Sequence, residues 1–307
     1  MNILITGGAG FLGSHLAKAL LDEGHEVFVV DNLSTGRTAN VDQRAEFHAG
    51  DIRCLDDWDT PLDRIYHLAC PASPPKYQAD PIGTLETCFI GTQNVLKIAE
   101  SCGARVLFTS TSEVYGDPEI TPQPESYTGS VHTIGPRACY DEGKRAAETL
   151  CSEYANRRGV DVRIARIFNT YGPGMSPHDG RVITEFVKAA KHGRPMLING
   201  DGRQTRSFCY VSDTIRGLMM LMESDVKTPV NIGNPNEMSI NDLAALVARI
   251  MGAPPSTVHL TGLTHDPKRR CPDVTLAVEK LKWAPQVSIG KGLTLTIDSV
   301  LKTAEAA

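Results

Sequence analysis

The sequence predicts an α/β protein: a doubly wound parallel sheet with a smaller C-terminal lobe. Three observations carry that expectation. Short apolar runs alternate with amphipathic stretches through the first half, a glycine-rich turn separates the first run from the first helix, and after Asn169 the chain becomes turn-rich with shorter segments.

Asn2-Ile3-Leu4-Ile5-Thr6 reads as a buried strand, and Leu16, Ala19 and Leu20 place Ser14 to Glu23 in a helix. Gly24-His25 closes that helix, and Glu26 to Asp31 is a second strand ending in a carboxylate, which completes a βαβ unit. A further candidate strand runs from Ala45 towards Asp51, and others cover Arg64–Ala69, Ala104–Ser110 and Asp161–Arg166. An amphipathic stretch from Thr84 to Ser101 and a helix from about Asp141 to Arg157 lie between them. Alternation of this kind argues for helices on both faces of a parallel sheet. Beyond Tyr171-Gly172-Pro173-Gly174, helices are expected around Ile240–Met251 and Gly290–Lys302, with no internal repeat or low-complexity tract. The expected division is residues 1–168, joined again by about 206–232, against a lobe of 169–205 and 233–307.

With 307 residues the chain has enough length for a substantial core. A net charge of −5 and 22% charged residues suggest neither a nucleic acid nor an anionic membrane as partner. Eight scattered cysteines, without Cys-x-x-Cys or zinc spacing, read as reduced thiols, and no metal is expected. The first strand begins at the N-terminus and no apolar run approaches the roughly 20 residues of a membrane span, so a cytoplasmic location is expected.

Gly7, Gly10 and Gly13 have the spacing in which one glycine makes a tight turn, the next lets backbone approach a pyrophosphate and the third packs helix against strand. The helix N-terminus behind them offers amides and partial positive charge. Asp31 follows Gly13 by 18 residues, at the end of the next strand, where a carboxylate accepts from an adenosine ribose. That carboxylate would repel a 2′-phosphate, which favours NAD over NADP, although Arg37 stands close enough in sequence to receive one. Asp51 is read either as facing the adenine or as an ordinary turn aspartate.

Tyr140 and Lys144 stand four apart at a helix start, on one face, and such a lysine can stabilise a phenolate. They follow a strand ending in Thr109-Ser110-Thr111-Ser112-Glu113, whose hydroxyls lie at the strand's carboxyl end. A glycine-rich cofactor turn followed by Thr111, Tyr140 and Lys144 points to oxidation at a carbinol.

The chain resembles the extended short-chain dehydrogenases that act on nucleotide sugars, and within them the UDP-glucuronate decarboxylases, or UDP-xylose synthases. The resemblance runs almost end to end. It is carried by Thr6–Leu16, Ala69–Pro74, Thr111–Pro118, Gly135–Arg145, Ala165–Pro173, Gln204–Phe208 and Arg270-x-Pro272-Asp273. It implies a Rossmann-type domain holding NAD, a lobe for the sugar nucleotide, and a homodimer formed through the segments Thr84–Ser101 and Asp141–Arg157. The implied cofactor residues are Gly7, Gly10, Phe11, Leu12, Gly13, Asp31, Asn32, Thr35, Gly36, Asp51, Ile52, Leu68, Tyr140, Lys144, Thr170 and Arg181. Glu113, Asn169, Arg181, Arg206 and Arg270 are implied for the substrate, with Arg206 and Arg270 facing phosphate or the sugar acid, while Lys268 and Arg269 are left to solvent. Asn94 resembles an asparagine that helps hold the lysine through water.

In the reaction so implied, Tyr140 is the base at C-4 with Lys144 its electrostatic partner, Thr111 bonds the C-4 oxygen, and Glu113 faces C-5. Oxidation at C-4 makes a ketone β to the carboxylate, so the carbanion left by carbon dioxide is delocalised. UDP-glucuronate then becomes UDP-xylose with NAD regenerated. Dehydratase relatives place an Asp-Glu pair after the threonine where this chain has Ser112-Glu113, and 4-epimerases have a small or hydroxylic residue at the Glu113 position. A UDP-uronate 4-epimerase is the alternative, and a catalytically dead NAD-binding regulator is disfavoured by the complete Thr111, Tyr140 and Lys144 set. Thr128, His132, Glu185 and Asn199 depart from the family's tryptophan, asparagine, asparagine and tyrosine, and the last two bear on whether the base is uracil or thymine.

Overall fold

A seven-stranded sheet organises the first part of the chain. In a computed structural model, which describes residues 1–176, 178–262 and 269–303, β1 (Asn2–Thr6), β2 (Glu26–Asp31), β3 (Glu46–Ala49), β4 (Arg64–His67), β5 (Arg105–Thr111) and β6 (Val162–Ile167) are joined by a strand at Val230–Ile232. The order across the sheet is Val230–Ile232, β6, β5, β4, β1, β2, β3. β1 pairs in parallel with both β2 and β4, as do β2 with β3 and β4 with β5. Strand order therefore reverses beside β1, at the carboxyl edge where open α/β sheets hold their ligands. Ile3, Leu4 and Ile5 are fully buried, as strands covered on both faces require.

Helix α1 (Phe11–Asp22) begins three residues before the expected Ser14, because Gly10, extended at φ −79° and ψ 178°, already serves as its N-cap. The expected amphipathic stretch is divided. After α2 (Pro74–Ala79) come α3 (Pro81–Glu86), a π-helical turn over Thr87–Gly91 and α4 (Thr92–Cys102). Gly91 permits this path: a Cβ there would meet Ile52 Cδ1 at 2.3 Å. Helix α5 (Ala138–Arg158) starts before Asp141, so Tyr140 sits inside its first turn, and Gly159 ends it in the left-handed region at φ 72°. Between the sheet and α4 and α5 lies a core that includes Leu4, Val95, Leu96, Val106, Phe108, Ala147 and Ile164.

The chain divides into two compact units. The first comprises 1–114, 131–166 and 215–230, and the second comprises 115–130, 167–214 and 231 onward. The segment 115–130 belongs to the second unit through bonds of its own: Tyr115 donates to Asn231 Oδ1 at 2.7 Å, and Gln123 N to the Cys271 carbonyl at 2.8 Å. After α6 (Val182–Lys191), the chain returns to the first unit within α7 (Val211–Glu223). In the second unit α8 (Ile240–Met251) matches its expected limits. Ser239 accepts from Asp242 N at its start and Gly252 turns left-handed at its end. The fully buried Trp283 donates Nε1–H to the Asp213 carbonyl at 2.9 Å. Among the described residues no helix is long and apolar enough to cross a membrane.

One buried polar group ties β4 to its neighbours. The His67 ring nitrogens lie 2.7 Å from Thr6 Oγ1 on β1 and 3.0 Å from Thr92 Oγ1 on α4. Burial first, and then the nearby Lys144 charge, push its pKa down to about 3. A histidine in the unfolded chain titrates at about 6.5 and so takes up a proton that the folded state refuses. Stability therefore rises with pH between about 3 and about 6.5 and is lost as pH falls through that window. By NMR the folded His67 imidazole will show no titration from pH 8 to pH 5; a midpoint near the ordinary value would contradict this packing.

Candidate active site

The turn after β1 is built by close backbone approach. A Cβ on Gly13 would stand 2.2 Å from the Gly7 carbonyl oxygen, and Gly7, at φ 77°, would bring one to 2.8 Å from the Ala69 backbone. At Gly10 a Cβ would meet only the Gly7 oxygen, at 3.2 Å, so that side of the turn stays open for a ligand to lie along. Phe11 and Leu12 begin α1, where first-turn amides lack intrahelical acceptors.

Asp31 secures this turn from the neighbouring strand. Its Oδ2 accepts from Ala9 N at 3.0 Å and its Oδ1 from Leu33 N at 2.8 Å. Burial pushes the carboxyl up, against those two amides. Each oxygen still has acceptor capacity, which suits ribose hydroxyls. The loop beyond wraps the same turn: a Cβ on Gly36 would reach the Ala9 backbone at 2.9 Å, and Asn40 Nδ2 donates to the Ala9 carbonyl at 2.9 Å. Thr35 and Arg37 are exposed on that loop.

Asp51 takes part in the turn after β3. It accepts from Arg53 N at 2.9 Å and pairs with the Arg53 guanidinium at 2.8 Å, and that arginine above all holds its carboxyl down at about 2. Asn32 Nδ2 also donates to it, at 3.1 Å. Asn94 is turned to the backbone rather than to the lysine. Its Nδ2 donates to the Ile52 and Arg53 carbonyls at 3.1 and 3.0 Å, fixing the turn after β3 on α4. Leu68 N continues the β1 ladder by donating to the Thr6 carbonyl at 3.0 Å.

Thr111, Glu113, Tyr140 and Lys144 converge in the first unit. Tyr140 and Lys144 are buried on α5, with Lys144 donating to the Thr109 carbonyl at 2.8 Å and lying 4.7 Å above the Phe108 ring. Thr111 Oγ1 accepts from Glu113 N at 3.2 Å. Burial pushes the Tyr140 phenol well above its ordinary value, with the Cys70, Cys88 and Glu113 charges acting in the same direction and a hydrogen bond with Thr111 opposing them. As these side chains stand, the phenol is neutral rather than the phenolate that a nearby lysine suggests.

Two neighbours have no role that the sequence alone assigns. Tyr77, on α2, stacks on Tyr140 with ring centroids 5.0 Å apart and planes within 5°. Its own hydroxyl is buried without a hydrogen-bond partner among the described residues. Arg137, three residues before Tyr140, is ion-paired with Glu113 and lies 3.8 Å from Asp141. The signals were faint: Tyr77 follows a Pro-Pro step that starts a helix, and Arg137 lies inside the Gly135–Arg145 segment.

In the second unit, Arg206 and Arg270 are paired in register on parallel strands, Thr205–Ser207 and Arg269–Arg270, and both are buried. That register puts the two arginines on the same face of the strand pair, an arrangement that suits an anion of high charge. Arg269 is exposed but ion-paired with Glu237 rather than left to solvent alone, and Lys268 lies outside the described residues. Arg181 pairs with Asp179 at 3.2 Å. Thr170 uses its hydroxyl on the Phe168 carbonyl at 3.1 Å and lies 2.9 Å from Thr214 Oγ1, while the Asn169 carbonyl accepts from Cys209 N. Glu185 is ion-paired with Lys188, and the Asn199 carbonyl accepts from Gln204.

A glycine cradle opening on a helix N-terminus, a carboxylate beside it and a tyrosine–lysine pair define a dinucleotide-dependent enzyme of the short-chain dehydrogenase type. A profile of the NAD dependent epimerase/dehydratase family matches residues 3–233, and the chain belongs to that family. Among curated proteins it is 50% identical to UDP-glucuronic acid decarboxylase 1 of Xenopus tropicalis, over 99% of this chain and 73% of that one. It is 49% identical to UDP-glucuronic acid decarboxylase 5 of Arabidopsis thaliana, over 96% of this chain and 88% of the relative. Among solved structures it is similar to a UDP-glucose 4-epimerase of Thermotoga maritima with UDP-glucose, at TM-score 0.92 and 32% identity over 99% of this chain and 100% of the other. It is also similar to a UDP-glucuronic acid 4-epimerase of Bacillus cereus in complex with UDP-glucuronic acid and NAD, at TM-score 0.85 and 28% identity, with coverage of 99% and 100%.

The open side of Gly10 and the acceptor capacity of Asp31 fit the dinucleotide that names the family. Gly13→Ala will drive a methyl into the Gly7 carbonyl and weaken NAD binding at least tenfold, or ~1.4 kcal/mol. Fluorescence titration checks this, and wild-type affinity in the variant would refute the cradle.

Proposed function

We propose that the chain decarboxylates UDP-glucuronate to UDP-xylose through a 4-keto intermediate. The observation that carries this reading is the placing of Glu113 in one cluster with Thr111 and Tyr140, its backbone N–H on Thr111 and its carboxylate on Arg137 within electrostatic reach of the phenol. Half-identity to UDP-glucuronic acid decarboxylases over nearly the whole chain supports it.

NAD, which the Gly7–Gly13 turn and Asp31 would hold, would supply a reversible hydride acceptor for C-4. The protein's own residues handle the protons. Tyr140 Oη, once its own phenol proton has passed to solvent, accepts the C-4 hydroxyl proton, with Lys144 as its electrostatic partner. Thr111 Oγ1 fixes the C-4 oxygen, while Glu113 holds or moves a proton at C-5 after carbon dioxide leaves. Arg206 and Arg270 take the diphosphate. The second unit is thus read as the sugar-nucleotide lobe, and the eight free thiols fit a reducing, cytoplasmic setting.

Tyr140→Phe will lower carbon dioxide release from UDP-glucuronate at least ~100-fold while leaving NAD affinity unchanged. Undiminished release would remove the mechanism, and conversion to a 4-epimer without gas would make the chain a uronate epimerase instead.

We also infer a homodimer through the α3–α4 and α5 surface. Ile82, Leu85, Phe89 and Ile90 are exposed together on α3 and the π turn, an apolar cluster that a second copy would cover. Phe89→Glu will shift the protein from dimer to monomer by light scattering; an unchanged mass would place the dimer elsewhere or dispense with it.

A further inference from the structure

Two thiols unused by the proposed reaction meet beside its tyrosine. Cys70 Sγ and Cys88 Sγ lie 3.3 Å apart within hydrogen-bonding reach, both as free thiols. Their settings differ in a way that assigns an order to them. Cys70 is only partly buried in the segment after β4, whereas Cys88 is 1% exposed within the π-helical turn. Cys88 packs directly on the catalytic helix: a Cβ placed on Gly143 would stand 3.0 Å from Cys88 Cβ and 3.1 Å from its sulfur. Gly143 immediately precedes Lys144 and lies three residues after Tyr140. The chain between the two cysteines includes α2 and α3, and with them Tyr77, whose ring stacks on Tyr140.

We propose that Cys70 and Cys88 form a reversible disulfide whose closure switches the active site off. The sulfurs need approach only from 3.3 Å to the bonded separation of about 2.05 Å. The oxidant is hydrogen peroxide. The Cys70 thiolate attacks its oxygen, giving a sulfenic acid on Cys70 and releasing hydroxide; Cys88 sulfur then attacks that sulfenic sulfur, and water leaves with the Cys88 proton. Two thiols lose two electrons and two protons, and the peroxide is reduced to two waters. A small dithiol reverses the change by exchange.

Electrostatics favour the same order of events. The Cys88 hydrogen bond, and after it the Lys144 charge, hold the Cys70 thiol below its ordinary value against the effect of burial, while Cys88 is held well above. Cys70 is thus the sulfur that reaches the thiolate form, in the less buried of the two residues, and Cys88 is the one that resolves. Cys139, whose thiol points at the Tyr77 carbonyl at 3.8 Å, is occupied elsewhere. Drawing Cys88 towards Cys70 pulls the π turn off the Gly143 face of α5 and strains the loop that carries Tyr77. Tyr140 then loses the packing on two sides that sets its phenol.

The bond is tested apart from the activity, whose loss rests on the proposed role of Tyr140. The purified protein is treated with hydrogen peroxide and digested with trypsin without reductant. The expected product joins Ile65–Lys76 to Tyr77–Lys97, held together only through Cys70 and Cys88. Carbon dioxide release from UDP-glucuronate should fall at least tenfold and return with dithiothreitol. Cys88→Ser should keep its turnover and lose the sensitivity, Cys70→Ser should do the same should Cys88→Ser fold poorly, and Cys139→Ser should remain sensitive. Absence of the linked peptides, or Cys88→Ser and Cys70→Ser as peroxide-sensitive as the parent, would overturn the proposal. If the protein shows no turnover on the uronate at all, the linked peptides still decide whether the bond forms.

Discussion

The close approach of Gly13 to the Gly7 carbonyl is the constraint from which the active unit is built. No side chain fits between them, so α1 can start at Phe11 with its N-terminus aimed along the open side of Gly10. The Ala9 amide, turned inward by that geometry, is caught by Asp31 on β2, and the Ala9 carbonyl by Arg37 N and Asn40. Gly7 in turn lies against Ala69, at the end of β4. One methyl group in this turn would thus be felt by three strands and a loop.

From that edge of the sheet the chemistry is arranged by burial more than by charge pairing. Lys144 spends a proton on the Thr109 carbonyl and lies over Phe108, while Tyr140 is stacked on Tyr77 and kept neutral by desolvation. Glu113 is held against Arg137 rather than against the phenol, which keeps two anions from forming side by side. A substrate that brings a hydroxyl to Tyr140 and a carboxylate towards Glu113 and Arg137 changes each of these balances at once. This is how a ligand can set the proton inventory of a site that rests neutral.

Much of this was legible in the sequence, for a physical reason. Strand-turn-helix punctuation, a carboxylate closing β2, and Tyr140 and Lys144 one turn apart are local features, and local spacing survives folding. The pairing of Arg206 with Arg270 and the stacking of Tyr77 on Tyr140 join residues far apart in sequence, where register and not spacing decides. Arg206 and Arg270 were reached only through resemblance, and Tyr77 and Arg137 were not reached at all. Asp51 and Asn94 also bond nearby backbone and an arginine, a second engagement that residue type and position do not disclose. The π turn that divides α3 from α4 was hidden because an amphipathic pattern does not distinguish a bulged helix from a regular one.

Central to all of this is the proposed closed redox cycle, in which carbon dioxide leaves between oxidation at C-4 and the return of the hydride. Its most direct test is to incubate the purified protein with UDP-glucuronate and NAD and follow carbon dioxide, pentose and NADH together. One carbon dioxide and one UDP-pentose are expected per uronate consumed, without accumulation of NADH. Uronate turned over with no gas, or NADH rising in step with product, would contradict the cycle.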